Sequence, residues 1–119
     1  MTVTALPLSE TEIVASDASA FAAFGAFVAI SDAGDVLAIG APAAGINFSG
    51  AVYVFEKLGE AWSQTATLTA SDASPFDRLG LAVAINGAGS TIVAGAPSED
   101  AAGDTAGAIY IFDRLGGVD

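Results

Sequence analysis

The side chains in this sequence that could take part in chemistry are nearly all carboxylates. Its 119 residues include 14 Asp and Glu against 3 Lys and Arg, with no His and no Cys. Paired carboxylates such as Asp32 and Asp35 could act as an acid and a base, as in glycosidases. However, the commonest general base and the cysteine nucleophile are both missing, so a nucleophile–base pair of the usual kind cannot form. We therefore expect a protein that is not an enzyme and has no catalytic residues.

The charge balance also limits the partners that the chain can bind. A formal net charge of -11 at pH 7 leaves no basic cluster that could displace counterions from phosphates. We expect no binding to nucleic acid and none to an anionic membrane surface. No apolar run is long enough to insert into a bilayer, and residues 1–15 have neither the basic residues nor the apolar core of a signal peptide. The compartment stays open, because a chain without cysteine fits either side of a membrane.

An internal repeat organises the chain that carries these groups. Residues 16–42 align with residues 71–97 at an offset of 55, and the identities include Ser-Asp-Ala-Ser, Val-Ala-Ile and Gly-Ala-Pro. After a two-residue insertion, residues 50–59 align with residues 107–116, and every difference in that stretch is conservative. Such self-similarity is typical of architectures in which neighbouring units stack on one another.

Each repeat has the pattern of four short strands. In the first repeat, three runs are apolar on both faces, as expected for buried strands: Ala26–Ile30, Val36–Gly40 and Ala51–Glu56. A fourth run, Trp62–Ala70, alternates polar and apolar residues, as expected for a half-exposed outer strand. The predicted fold class is therefore all-β, with two four-stranded blades of a β-propeller in each chain.

Two short motifs stand in register in both repeats. Gly25 and Gly80 each precede a strand, where a side chain would crowd a neighbouring blade, and a proline ends the next strand because it cannot donate to the ladder. These positions resemble the FG-GAP repeats of integrin alpha-chain propellers and their bacterial relatives. The matching residues are Phe24, Gly25, Gly40, Ala41 and Pro42 in the first repeat, and Leu79, Gly80, Gly95, Ala96 and Pro97 in the second. The resemblance implies a β-propeller with a role in adhesion or recognition, outside the cell or at its surface, by analogy of fold.

The resemblance also implies a possible calcium loop between the first two strands of a repeat, where many family members carry alternating aspartates. The loop of the first repeat keeps two carboxylates, Asp32 and Asp35, and the loop at residues 86–90 keeps none. Calcium takes six to eight oxygen ligands, several of them charged. We expect at best a weak calcium site at Asp32 and Asp35, with turn capping as the alternative role, and no other cofactor.

The order of the strands suggests that the chain assembles with copies of itself. We assign residues 16–70 to a first blade and residues 71–119 to a second blade that lacks its fourth strand. Residues 1–15 hold a strand, Pro7–Ala15, that matches Trp62–Ala70 at the same offset and would complete a blade of a neighbouring chain. Propellers close with four to eight blades, so the expected homo-oligomer is a trimeric or tetrameric ring, with an open filament as an alternative. A second alternative is that the two repeats are a segment of a longer propeller.

Two loops at equivalent places differ between the repeats and are candidate ligand-binding surfaces. One contains the acidic residues Asp100 and Asp104, and the other contains the aromatic Phe48. Solvated turn residues and a packed aromatic ring are the structural alternatives for these residues. A glycan-binding lectin that uses Trp62, the single tryptophan, is the alternative function, with packing between blades as the structural role of that side chain. The expected partners are thus another copy of the chain and a protein or glycan ligand.

Overall fold

The computed structural model of the chain describes residues 10–16, 23–44, 48–71, 77–97 and 107–113. This part of the chain contains seven strands: β1 (Phe27–Ile30), β2 (Val36–Ala41), β3 (Ala51–Leu58), β4 (Ala61–Leu68), β5 (Ala82–Ile85), β6 (Thr91–Ala96) and β7 (Ala108–Asp113). They form two antiparallel sheets, in the orders β1-β2-β3-β4 and β5-β6-β7. The prediction of an all-β fold is confirmed, and the two sheets are consistent with propeller blades.

Turn residues and prolines set the ends of the strands, as the sequence pattern predicts. The β1–β2 turn places Gly34 at a φ of 76°, and the β3–β4 turn places Gly59 at 64°, a region that glycine enters without steric penalty. Strand β2 ends immediately before Pro42, and β6 ends immediately before Pro97. Each sheet is consequently a simple up-and-down meander in which neighbouring strands are also neighbours in the chain.

Each sheet has two faces, and their side chains form two separate apolar clusters. We call the face that carries Tyr53 in the first sheet and Tyr110 in the second sheet the front face, and the opposite one the back face. The first cluster covers the front face of the first sheet and includes Ile39, Tyr53 and Phe55. The second cluster contains residues from the back face of the first sheet and from the front face of the second sheet. These two faces therefore pack against each other.

A β-bulge in the β3–β4 pair lets one strand contribute to both clusters. The register shifts between Val54 and Phe55, which reverses the faces reached by the residues of β4 on either side of it. Ala66 and Leu68 therefore pack in the second cluster, on the back face, while Trp62 packs in the first cluster, on the front face. The alternation of half-buried and exposed residues along β4 agrees with the predicted outer strand.

Burial differs from the sequence pattern at β1 and in the segment before it. The expectation that β1 is buried on both faces is wrong for the described chain, because Val28 is 62% and Ile30 is 54% exposed. Residues 10–15, the described part of the predicted N-terminal strand, have no strand conformation in the single chain. Ile13 and Ala15 instead pack on the front face of the first sheet. Residues 7–9 lie outside the described residues.

Candidate functional site: the interface between blades

The back face of the first sheet packs tightly against the front face of the second, and we call this contact the inner interface. Val52 from the first sheet and Leu79 from the segment before β5 are the largest side chains that are completely buried there, at 0% and 1% exposure. Val36, Ala38 and Val54 surround them from the first sheet, and Ile92, Ala94 and Ala96 from the second. Removal of this apolar surface from water is what holds the two sheets together.

Two motif glycines meet at the centre of the inner interface. A Cβ atom built on Gly40 would overlap the carbonyl group of Gly80, and one built on Gly80 would lie 2.7 Å from the carbonyl oxygen of Ala51. Gly80 also has a φ of 99°, which side-chain-bearing residues rarely adopt. The surroundings of Gly80 agree with the expectation that the neighbouring sheet leaves no room for a side chain at this position.

Main-chain hydrogen bonds reinforce the inner interface at two places. The amide of Leu79 donates to the carbonyl oxygen of Ser49 at 3.0 Å, and the amide of Arg78 donates to that of Phe48 at 3.1 Å. Farther along the interface, the amide of Asp32 donates to the carbonyl oxygen of Gly87 at 3.0 Å. Asp32 and Gly87 are equivalent residues of the two repeats, so the corresponding turns of successive blades contact each other.

The front face of the first sheet has the same kinds of residue as the front face of the second sheet, which forms one half of the inner interface. The ring of Phe24, the motif residue equivalent to Leu79, packs edge-on against Tyr53 and Phe55 at centroid distances of 5.3 and 6.1 Å. Ile13 and Ala15 lie against this cluster, and Ile13 is the counterpart of Leu68, which packs at the inner interface. Residues 10–16 thus lie where the outer strand of a preceding blade would lie.

This front face nevertheless remains partly uncovered. Val28 and Ile30 are largely exposed, although their counterparts Val83 and Ile85 pack at the inner interface. Gly25 keeps the left-handed φ of its counterpart Gly80, at 91°, yet a Cβ atom built on it would meet no heavy atom within 4 Å. The predicted crowding at Gly25 is consequently absent in the single chain, because the described residues place no blade against it.

The back face of the second sheet is exposed, whereas the equivalent back face of the first sheet is buried. Ile109 is 67% and Ile111 is 59% exposed, whereas their equivalents Val52 and Val54 are 0% and 6% exposed. A Cβ atom on Gly95, the equivalent of Gly40, would meet only the Cβ atom of Ala82, at 3.7 Å. Sequence reasoning did not single out Ile109 and Ile111; their match to Val52 and Val54 in the aligned repeats was the signal that could have found them.

The predicted calcium ligands lie in a capped turn. Asp35 accepts a hydrogen bond from the Ser31 hydroxyl at 3.0 Å, and that hydroxyl oxygen accepts one from the amide of Val36 at 3.1 Å. In the second repeat, Asn86 caps the equivalent turn by accepting from the amide of Thr91 at 3.0 Å. No group of three or more potential metal-ligating side chains occurs among the described residues. The described residues do not test calcium binding at Asp32 and Asp35, which stays a prediction.

Of the three predicted ligand-binding residues, the structure describes only Phe48. Asp100 and Asp104 lie outside the described residues. Phe48 is 40% exposed, has a left-handed φ of 61°, and its carbonyl oxygen belongs to the inner interface through Arg78. The loop that carries Phe48 is therefore anchored by the packing of the blades.

Trp62 lies in a depression at the edge of the first sheet. The depression is also lined by Phe55, by Glu12 and Glu60, and by the neighbouring residues of the N-terminal segment and of β4. Since Trp62 packs against the front-face cluster, its expected structural role in packing is consistent with its surroundings. The same depression combines an aromatic side chain with two nearby carboxylates.

Comparison with protein families decides what the repeated motif represents. The sequence profile of the FG-GAP repeat matches residues 8–55 and 62–112, which together make up most of the chain. The chain belongs to the FG-GAP repeat family. Membership suggests a β-propeller module for recognition or adhesion, and FG-GAP repeat proteins are generally not enzymes. A search of curated proteins found no match to the chain.

The two matches show how the FG-GAP repeat is phased against the sheets. The second match spans β4 to β7, so a sequence repeat begins with the outer strand of one blade and continues through three strands of the next. The first match begins at residue 8 and includes the segment that packs on the first sheet. Residues 8–15 therefore stand in the repeat where β4 stands. The described residues also contain no helix that is long and apolar enough to cross a membrane.

Proposed function

We propose that the chain is a non-catalytic recognition or adhesion module that acts as a β-propeller built from several copies of itself. In this proposal the copies associate head to tail, so that the back face of the second sheet of one copy packs on the front face of the first sheet of the next. The loops at the ends of the assembled blades then bind the ligand, because a rigid scaffold that carries variable loops is the usual arrangement for recognition.

One observation carries this proposal: the chain repeats both halves of its own inner interface at opposite sides, and each half leaves apolar side chains exposed. Val28 and Ile30 stand uncovered on one side, and Ile109 and Ile111 on the other, while their equivalents are packed inside the chain. Large apolar side chains that are exposed together on one face are typical of a site of protein association. The same two kinds of face pack on each other inside the chain, so the two exposed faces can each pack on the opposite face of another copy.

Among the possible results of such head-to-tail contacts, a closed ring buries the most apolar surface. A heterologous contact forms a ring when the rotation per copy closes, and an open filament when it does not. Two blades per copy make a ring of six or eight blades from three or four copies, within the usual range for propellers. A closed ring leaves neither apolar face in water, whereas a filament exposes one of each kind at its ends.

The test of this proposal is the absolute mass of the purified protein by light scattering after size-exclusion chromatography. From an 11.7 kDa chain, a trimer has a mass of about 35 kDa and a tetramer about 47 kDa. Either discrete mass supports the ring. A folded monomer at high concentration would contradict self-assembly, and a large polydisperse species would favour the filament.

The absence of catalysis is tested with the pair of carboxylates that comes nearest to an acid–base arrangement. A broad screen of hydrolase substrates with the assembled protein should show no turnover. Turnover that disappears in the Asp32→Asn, Asp35→Asn double variant would refute the non-catalytic role.

A glycan-binding lectin is the second candidate, and the depression at Trp62 favours it. An aromatic face beside Glu12 and Glu60 offers stacking for a sugar ring and acceptors for its hydroxyl groups. Glycan-array binding by the assembled protein that is lost in Trp62→Ala would support this function. Leu58→Ala is the matched control, because Leu58 lies in the same hairpin and is 63% exposed. No binding to any glycan by the wild-type protein would reject it.

A further inference from the structure

We propose a specific contact between copies, which rests on the self-assembly proposed above. In this contact, residues 10–13 of one copy add to β7 of the preceding copy as its fourth strand, with Ile13 opposite Ile109. At the same time, Gly25 of the first copy packs on Gly95 of the preceding one. The contact reproduces the inner interface, which joins the same two kinds of face within one chain.

The edges of the equivalent strands β3 and β7 are unequal. Strand β3 pairs with β2 on one side and with β4 on the other, whereas its equivalent β7 pairs among the described residues only with β6. An edge strand presents main-chain donors and acceptors that can accept a strand from another chain. The edge of β7 also carries the exposed Ile109 and Ile111, so added strand and added blade would both remove apolar surface from water.

The N-terminal segment already lies against the first sheet. Ile13 and Ala15 are already packed on the front face of the first sheet, as Leu68 is packed on the second. Among the described residues the segment has no strand partner, and the amide of Ser16 donates a hydrogen bond to the Gln64 side chain at 3.0 Å. It is therefore held against the sheet by its apolar side chains while its main chain is placed to pair with an incoming strand.

The β3–β4 pair gives the register of the new strand pair. In the β3–β4 pair, Val52 lies opposite Leu68, Tyr53 opposite Thr67 and Val54 opposite Ala66. Transferring these pairs by the repeat offsets places Ile109 opposite Ile13, Tyr110 opposite Glu12 and Ile111 opposite Thr11. A shift by one residue would turn Ile13 away from the face that must be buried, so this register is the one that the packing selects.

Two motif glycines, Gly25 and Gly95, have no main chain of a neighbouring sheet against them among the described residues. Gly40 and Gly80 touch each other at the inner interface, whereas a Cβ atom on Gly25 would meet no heavy atom within 4 Å and one on Gly95 only the Cβ atom of Ala82, at 3.7 Å. Gly95 does not have the left-handed φ that would by itself require glycine. Contact with the main chain of a following blade accounts for a glycine at this position, because that contact leaves no room for a Cβ atom.

Disulfide cross-linking tests the register, since the chain contains no cysteine. Chains with Ile109→Cys are mixed with chains that carry Ile13→Cys, unfolded and refolded together, and oxidised. Directly opposed residues of an antiparallel pair have Cα atoms about 4.5 to 5.5 Å apart, within the range that a disulfide bridges. We expect a covalent heterodimer. Glu12→Cys is the matched control, because its side chain points to the opposite face, and it should give little product with Ile109→Cys.

A second measurement separates this contact from other modes of assembly. Gly95→Ala adds a methyl group that fits the single chain but overlaps Gly25 of the next copy, so the light-scattering mass should fall to that of a monomer with an unchanged circular dichroism spectrum. Gly40→Ala, at the equivalent position, should instead destabilise the fold of the chain. An oligomeric wild type whose mass Gly95→Ala leaves unchanged, with no Ile109–Ile13 cross-link, would overturn this contact and leave self-assembly standing. A monomeric wild type would mean that blades of another polypeptide cover these faces, and would overturn both proposals.

Discussion

Leu79→Ala is the substitution that tests the packing of the two sheets most directly. Leu79 is 1% exposed at the inner interface, and it occupies the motif position that holds Phe24 in the first repeat. Its amide is bonded to the carbonyl oxygen of Ser49. This hydrogen bond holds the main chain of Leu79 in place. The neighbouring residues therefore have little freedom to move into the cavity that truncation leaves.

The expected loss of stability follows from these contacts. The substitution removes three buried carbon atoms, worth about 2.4 kcal/mol at about 0.8 kcal/mol each. The residual cavity adds to this value because the surroundings relax incompletely, and buried Leu→Ala substitutions span about 2–5 kcal/mol. We expect the free energy of unfolding to fall by about 3–4 kcal/mol for Leu79→Ala.

Urea unfolding followed by circular dichroism measures this loss, at one chain concentration for all variants because assembly makes stability depend on concentration. Leu58→Ala removes the same atoms from a side chain that is 63% exposed. It should change the free energy of unfolding by no more than about 0.5 kcal/mol. If Leu79→Ala lost less than about 1 kcal/mol, or no more than Leu58→Ala, the inner interface described here would be wrong.

Four further outcomes are expected. Ala23→Gly should raise the free energy of unfolding by about 0.5–1 kcal/mol in urea titrations, because Ala23 has a left-handed φ of 61° that glycine adopts without strain. Asn86→Ala should lower it by about 1–2 kcal/mol in the same assay, because the side chain accepts from the amides of two residues after the turn. Millimolar calcium should add no more than about 0.4 kcal/mol in thermal scans, the gain at a concentration equal to the Kd; a larger gain that Asp35→Asn abolishes would establish a site. Ile111→Lys should leave the chain folded but reduce its light-scattering mass to that of a monomer, because a charge on this exposed edge opposes strand addition.

The position of the strands could be predicted from local features of the sequence. Alternation along β4, β-branched runs in β2 and β3, and the prolines after β2 and β6 all act within a few residues. The four predicted runs of the first repeat therefore agree with β1 to β4 to within one or two residues at their ends. The predicted N-terminal strand does not, because residues 10–15 have no strand conformation. Gly80 lies at a strand start that closely approaches the neighbouring sheet, which agrees with the reason given for a glycine at this position.

The burial of β1 could not be predicted from the same features. Its residues are as apolar as those of β2, yet Val28 and Ile30 are exposed while Ile39 is buried. Apolarity indicates that a face is suited to burial, but the burial itself depends on a partner surface that local sequence does not supply. The turn that holds Asp35 could be predicted from local sequence, and within it the Ser31 hydroxyl donates a hydrogen bond to the Asp35 carboxylate. Calcium binding at Asp32 and Asp35 stays a prediction.

The sequence by itself determined the repeat, the strands, the turns and the membership of the FG-GAP family, because each of these depends on residue types at short separations. Only the tertiary structure decided that Gly40 of one repeat lies against Gly80 of the next, while Gly25 and Gly95 stand open. Equivalent residues have the same local sequence signal, so no local pattern separates a face that is covered from one that is not. The difference arises from which blade packs against which face, and that depends on contacts between residues far apart in the chain.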